Sequence, residues 1–232
     1  AGEQRATVQA AQRLWSEIAR PNAMIKIPAT PAGIAAVREC IADGINVNVT
    51  LIFSPAQLAT VQTAYREGIE RRWQAGQSVD RIASVASVFI SRLDTLLDPE
   101  LPGELQGRTA IAMARRAYAE WLQQPALPGG AQAQMLLWAS TSAKNPAYRD
   151  VLYVEQLIGQ GTVNTVPDAT LAAFRHHGEA APTLNADAAG TEHQLAAIAA
   201  LGIDLDTVGE VLQRTGLQQF SEAFAKLLDL VR

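Results

Sequence analysis

Short apolar segments alternate with helical segments along this chain, and a helix start signal follows directly after the first two of them. Thr30 is placed to cap a helix whose first position is Pro31. Residues 54–57 (SPAQ) repeat the arrangement as a capping box that contains proline. Because strands that alternate with helices require crossover connections, this pattern predicts a parallel sheet built from βα units.

Periodicity assigns the remaining elements. Apolar residues at helical spacing begin at residue 4, and the last part of the chain has the same character. The predicted strands cover 23–29, 45–53, 82–90, 134–140 and 162–166. The predicted helices cover 4–19, 30 to about 43, a stretch from 55 onwards, 104–123, 146–158 and 168–177, with a helical tail from about 188.

The length and composition limit the class of protein. A chain of 232 residues supports one substantial core, so we expect a single domain over 1–232. The net charge is −4, and no apolar run approaches the roughly 20 residues of a membrane helix, so neither a nucleic-acid nor a membrane partner is expected. The single cysteine, Cys40, and the absence of a signal peptide predict a cytoplasmic location. The three histidines do not form a metal-ligand pattern.

The segment 45–53 (INVNVTLIF) alternates strictly between two sets of side chains. One parity is apolar throughout, whereas the other carries Asn46, Asn48 and Thr50 before Ile52. An antiparallel strand with one solvated face would show the same alternation. A barrel interior with a polar site near the C-terminal ends of its strands also accounts for it, and it additionally accommodates a charge in the preceding strand.

That charge is Lys26, which interrupts an apolar strand. Lysine is rare here, since only Lys26, Lys144 and Lys226 are found among 19 basic residues. Lys226 belongs to an amphipathic helix, and Lys144 follows a strand, where a loop or a substrate-contact role is open. Burial of Lys26 would lower its pKa and leave neutral amine able to attack a carbonyl. A strand-end lysine that reaches water is an equally good interpretation of the pattern alone.

Four segments of the chain resemble the transaldolase family, in particular its longer bacterial type. Residues 20–30 (RPNAMIKIPAT) resemble the strand that carries the Schiff-base lysine, and 44–54 (GINVNVTLIFS) resemble the next strand. Residues 84–92 (SVASVFISR) resemble the segment that binds the substrate phosphate, and 137–148 continues the likeness. The resemblance extends from about residue 8 to the C-terminus.

The resemblance implies a (β/α)8 barrel of the TIM type and a transaldolase activity in the pentose phosphate pathway. A dihydroxyacetone unit would pass from a ketose phosphate, such as fructose 6-phosphate or sedoheptulose 7-phosphate, to an aldose phosphate, with no metal or organic cofactor. By the same resemblance, Lys26 forms the imine, Asn48 orients the substrate or the amine, Thr50 holds a catalytic water, and Ser87 and Arg92 bind phosphate beside Phe89.

The likeness also implies a difference from a complete barrel. About five βα units are recognisable, so the domain is expected to be N-terminally incomplete and to lack three units. The family's two proton-transfer carboxylates belong to those units, and none of the five predicted strands contains Asp or Glu. The chain alone is therefore expected to turn over no substrate, and to associate with the missing strands or with another copy. A non-catalytic, phosphosugar-binding fragment and an aldolase that transfers to water or a free aldehyde are the alternatives.

Overall fold

A computed structural model describes residues 3–230, which form a parallel five-stranded sheet covered by helices. The strand order is β1-β2-β3-β4-β5, so each strand lies beside its neighbour in sequence. The strands are β1 (Ile25–Pro28), β2 (Val47–Ile52), β3 (Ser84–Phe89), β4 (Met135–Ala139) and β5 (Thr162–Asn164).

The helices connect consecutive strands and then form a C-terminal group. They are α1 (Gln4–Ile18), α2 (Pro31–Ala42), α3 (Pro55–Gln74), α4 (Ser91–Leu97), α5 (Thr109–Leu122), α6 (Leu152–Gln156), α7 (Asp168–His177), α8 (Ala188–Ala200) and α9 (Leu205–Leu230). Short 3₁₀ turns cover Asp98–Glu100, Gly103–Leu105 and Pro128–Gly130. In the part of the chain from 3 to 230, no helix is both long and apolar enough to cross a bilayer.

The five predicted strands and the helix at 168–177 are confirmed, with each strand one or two residues shorter than predicted at one or both ends. The predicted helix 104–123 is wrong at its start, because Gly107 adopts a positive φ of 68° and α5 begins only at Thr109. The predicted helix 146–158 contracts to the five residues of α6. The predicted helical tail from about 188 is confirmed and consists of two helices, α8 and α9, whereas α4 was not predicted.

The sheet separates two hydrophobic clusters. The larger one lies between the sheet and the helices, and it contains the alternate residues Ile25, Ile27, Val47 and Val49. The smaller one lies on the opposite face, which we call the inner face, and it is partly covered by Leu212 and Leu217 of α9. The strands follow one another in sequence order, and the helices that connect them pack on one face of the sheet. This is the arrangement of a barrel wall, whereas a doubly wound sheet reverses its strand order part-way.

The predicted caps account for how the first two strands pass into helices. Thr30 accepts the amide of Gly33 at 3.0 Å, and Ser54 accepts the amide of Gln57 at 3.3 Å. The side chain of Gln57 then accepts the backbone amide of Phe53 at 2.8 Å, which is one residue before the partner of a standard capping box. These caps end β1 and β2 sharply and place their C-terminal residues at one rim of the sheet.

The strict alternation predicted for 45–53 is wrong after Thr50, because β2 contains a bulge. Val49 lies beside Ala86 and Ile52 beside Val88, so Thr50 and Leu51 together face one residue of β3. Leu51 has a φ of 61°, a conformation that is uncommon for a residue with a side chain. The extra residue reverses the side-chain parity, so Ile52 joins the outer cluster and Phe53 the inner one.

Candidate active site

The structure brings Lys26 and Asn48 together on the inner face. They are direct partners in the parallel pairing of β1 and β2, and their parity is opposite to that of Ile25 and Ile27 in the outer core. Lys26 is exposed, which agrees with the interpretation of a strand-end lysine that reaches water and not with that of a buried amine. Its strand pairs on one side with β2 and, among residues 3–230, with no other strand, so solvent reaches the lysine.

Asn48 is held by Ser87 on the neighbouring strand. The Ser87 hydroxyl donates to the Asn48 Oδ1 atom at 2.7 Å, and Ser87 itself is buried. Lys26, Asn48 and Ser87 thus form a row across β1, β2 and β3. Because the serine fixes the amide oxygen, the Nδ2 group of Asn48 remains free to donate to a ligand placed beside Lys26.

Thr50 lies in the bulge of β2, two residues after Asn48 along the strand. It is 5% exposed, and its Oγ1 atom is buried with no hydrogen-bond partner among the residues that the structure describes. A buried hydroxyl ordinarily has a partner, and a site of this kind is suited to a bound water. The sequence assigned a water to this residue only through the family resemblance.

Phe89 and Arg92 extend the inner face towards the rim. The Phe89 ring packs against Phe53 with centroids 5.1 Å apart, a contact that the bulge makes available. The guanidinium of Arg92 lies over the Phe89 ring at 5.6 Å, and its Nη1 atom donates to Gln219 of α9 at 3.0 Å. Arg92 is thus half-buried at the C-terminal end of the sheet, between the Phe89 ring and α9.

Asn46 belongs to the polar parity of β2 but not to this group. Its side-chain amide donates to the carbonyl oxygens of Pro21 and Ala23 at 3.1 and 3.4 Å, and its Oδ1 atom accepts the amide of Ala83 at 2.9 Å. These bonds tie together the N-terminal ends of three neighbouring strands. Asn46 consequently stabilises the sheet at the end opposite the site.

The rim contains contacts that the sequence did not predict. Ser91 donates its amide to the carbonyl of Ser140 at 3.0 Å, and the two hydroxyl oxygens are also 3.0 Å apart. Ser140 has a φ of 57° directly after β4. Gln213 of α9 donates to the carbonyl oxygens of Ala29 and Leu51 at 2.9 and 3.0 Å, which closes the rim above β1 and β2. No local sequence signal marks either contact.

Lys144 is exposed, and its Nζ atom donates to Ser142 Oγ at 2.7 Å in the segment after β4. Lys226 is exposed on α9, as the sequence predicted. Within residues 3–230, no group of three His, Cys, Asp or Glu side chains is arranged to hold a metal ion. Of the three lysines, Lys26 alone lies on a strand of the sheet.

Two buried carboxylates lie behind the rim, and sequence analysis did not find them. Asp94 is fully buried in α4, and Asp98 is 7% exposed just after it. Burial raises the pKa of Asp94 to about 7, although hydrogen bonds from Ala110 N and from Tyr153 Oη to its oxygens act in the opposite direction. The signal that was available is the spacing of two Asp residues by four positions in a segment that also carries Leu93, Leu96 and Leu97.

A sequentially ordered parallel sheet with a lone lysine, an amide and an unpaired hydroxyl on its inner face defines a barrel-type protein suited to imine chemistry. The comparison with known families agrees. Residues 1–231 match the model of the transaldolase/fructose-6-phosphate aldolase family, and the chain belongs to this family.

Curated relatives named transaldolase are similar over nearly the whole chain. The protein of Neisseria gonorrhoeae is 54% identical over 98% of the chain and 67% of its own length. That of Neisseria meningitidis serogroup A is 54% identical over 96% of the chain and 65% of its own length. That of Thiobacillus denitrificans is 47% identical over 96% of the chain and 66% of its own length. The chain thus spans about two thirds of the length of these relatives.

Proposed function

We propose that this chain provides the Schiff-base and phosphate-binding part of a transaldolase. The observation that carries the proposal is the row formed by Lys26, Asn48 and Ser87 across three adjacent strands of a chain that belongs to this family. A cytoplasmic location fits the sequence of such an enzyme, and association with further strands or with a second copy stays a prediction.

The reaction starts with attack of the neutral Lys26 amine on the C2 carbonyl of a ketose phosphate. Loss of water gives an imine, whose protonated form accepts the electron pair released when the C3–C4 bond breaks. The C4 hydroxyl loses its proton as the aldose phosphate leaves, and in this proposal a water held by Thr50 passes that proton on to solvent. Addition of the retained three-carbon unit to another aldose phosphate reverses these steps, and hydrolysis then frees Lys26.

The surroundings of Lys26 support this sequence of steps. The Nδ2 group of Asn48, fixed by Ser87, is available to donate to a hydroxyl of the bound ketose. The unpaired Thr50 hydroxyl supports the proposal that this residue holds the water. Because Ser87 is already engaged with Asn48, its observed contact supports an orienting role, and its binding to phosphate stays a prediction.

Arg92 is our candidate for the phosphate contact. A charge-assisted hydrogen bond from arginine to phosphate is worth about 1.5–3 kcal/mol, so Arg92→Ala should raise the KM for phosphorylated sugars about tenfold to a hundredfold. Steady-state kinetics with D-glyceraldehyde 3-phosphate and with D-glyceraldehyde as acceptors would measure this. Arg175→Ala, at an exposed arginine of α7, is the matched control. An equal loss for both acceptors would assign Arg92 a structural role.

The function itself is tested by separating transfer from cleavage. The protein, as expressed in its host, is incubated with fructose 6-phosphate and erythrose 4-phosphate, and the products are resolved by mass. Formation of sedoheptulose 7-phosphate supports transaldolase. Release of free dihydroxyacetone would indicate an aldolase, and no turnover, with phosphosugar binding retained, would indicate the non-catalytic alternative.

A further inference from the structure

The short helix α4 carries both Arg92 and the first of the buried carboxylates. Arg92 lies in its first turn, Asp94 follows two positions later, and Asp98 begins the 3₁₀ turn that extends the helix. Asp94 and Asp98 are four positions apart, so they lie on one face. That face points into the protein, because both residues are buried whereas Arg92 is half-buried at the rim.

The two carboxylates make equivalent contacts, one turn apart on this face. In each, one oxygen accepts a backbone N–H at or just before the start of α5, and the other accepts a tyrosine hydroxyl from the segment 148–153. The contacts to Asp94 are Ala110 N at 2.8 Å and Tyr153 Oη at 2.9 Å, and those to Asp98 are Gly107 N at 3.0 Å and Tyr148 Oη at 2.6 Å.

The chain reaches this segment from the rim, next to the start of α4. It leaves β4 at Ser140, whose carbonyl accepts the amide of Ser91, and it then passes around α4 to the two tyrosines. A cavity of about 240 Å³ lies between the segment and α4, lined by Thr95, Asp98, Asn145, Tyr148 and Tyr153 among others. On the side of α4 that faces the cavity, the tyrosine hydrogen bonds connect α4 and its 3₁₀ extension to the segment, and Leu93 and Leu97 pack α4 into the hydrophobic core.

We propose that Tyr148 and Tyr153, through Asp98 and Asp94, are positioning residues that hold α4 so that Arg92 faces the substrate phosphate. The inference rests on the proposed role of Arg92 in phosphate binding. A helix of seven residues is not stable in isolation, so its placement depends on external contacts. A guanidinium displaced by about 1 Å loses much of a directional contact with phosphate, although it remains in the site.

The experiment compares Tyr148→Phe and Tyr153→Phe with Tyr65→Phe in the protein as expressed in its host. Tyr65 is a matched control, because its hydroxyl also donates a partly buried hydrogen bond, at 2.7 Å to the carbonyl of Gln132, but on α3 and away from α4. We expect each test variant to raise the KM for phosphorylated acceptors about threefold to tenfold, the effect of one net hydrogen bond, with kcat within about twofold. The KM for D-glyceraldehyde should not change.

A double-mutant cycle separates this inference from the role of Arg92. If the tyrosines act through Arg92, adding Tyr153→Phe to Arg92→Ala should have no further effect on the KM for phosphorylated acceptors. If Arg92→Ala raises the KM equally for phosphorylated and unphosphorylated acceptors, the proposed phosphate-binding role of Arg92 is wrong, and the positioning role that rests on it is wrong as well. A second outcome would overturn the positioning role alone. In it, Arg92→Ala raises the KM only for phosphorylated acceptors, whereas the tyrosine variants behave like Tyr65→Phe or impair both acceptors equally. Melting temperatures of all variants identify any loss of folding.

Discussion

Replacement of Lys26 by alanine or arginine should abolish covalent trapping of substrate. With fructose 6-phosphate and borohydride, the unaltered protein should gain a reduced three-carbon adduct on Lys26, because borohydride reduces the imine to a stable amine. Arginine preserves the positive charge, but its guanidinium stays protonated and cannot act as the nucleophile. Turnover in both variants should fall on the order of 10³-fold or more.

The matched controls are Lys144→Ala and Lys226→Ala, which remove the two exposed lysines that lie outside the sheet. Both should keep the adduct, and peptide mapping by mass spectrometry should locate it in the segment 20–30. An adduct on Lys144, or an undiminished adduct in Lys26→Ala, would show that the imine forms elsewhere. Trapping tests the amine independently of the later carbon–carbon cleavage.

Asp94→Asn should make the protein more stable near neutral pH than the unaltered chain and less dependent on pH. Folding raises the pKa of Asp94 from 3.8 to about 7, so between these values the folded state binds a proton that the unfolded state releases. The stabilisation from this proton is complete below pH 3.8 and is lost as pH rises towards 7. At about 1.4 kcal/mol per pKa unit, the free energy of unfolding falls on the order of 4 kcal/mol over this interval.

Asparagine keeps an oxygen for Ala110 N, and its amide can donate to Tyr153 Oη, so the packing should survive. Urea unfolding from about pH 4.5 to about pH 8 would measure the difference between the two proteins, which should grow as pH rises. Asp168→Asn, at an exposed position in α7, controls for the change in net charge. Parallel pH curves for the Asp94→Asn variant and the unaltered chain would contradict the prediction.

Local chemistry explains what the sequence predicted well. Thr30 and Ser54 determine their helix starts through bonds to residues three positions away, so their caps are visible in the sequence. Lys26 pairs with Asn48 because β1 and β2 are adjacent and each is followed by a helix cap at a similar distance, Thr30 after Lys26 and Ser54 after Asn48. The fold class and the lysine's neighbours were therefore predictable.

The errors arose where distant contacts decide the local structure. The bulge at Thr50 and Leu51 has no turn residue to announce it, and the carbonyl of Leu51 accepts a bond from Gln213, far along the chain. The sequence also left the environment of Lys26 open between a buried and a water-exposed position, because its exposure depends on which strands lie beside β1.

The buried aspartates were missed for a related reason. Asp94 and Asp98 are short polar residues in a segment too brief to show helical periodicity. Their partners Tyr148 and Tyr153 come about 50 residues later, beyond any pattern that local spacing can reveal. Pairing a carboxylate with a particular tyrosine required the three-dimensional structure.

The strictly sequential strand order also has a consequence for how the chain acquires its structure. Each new strand adds to the edge of the strand that preceded it, as Val47 does to Ile25 and Ser84 to Val47. The chain therefore loses conformational entropy in several small loop closures, one for each added strand, rather than in a single long-range closure. On the ribosome, the sheet can grow one βα unit at a time as the chain emerges. Helix α9, which bonds to Ala29 and Leu51 through Gln213, can join only after all five strands have been synthesised.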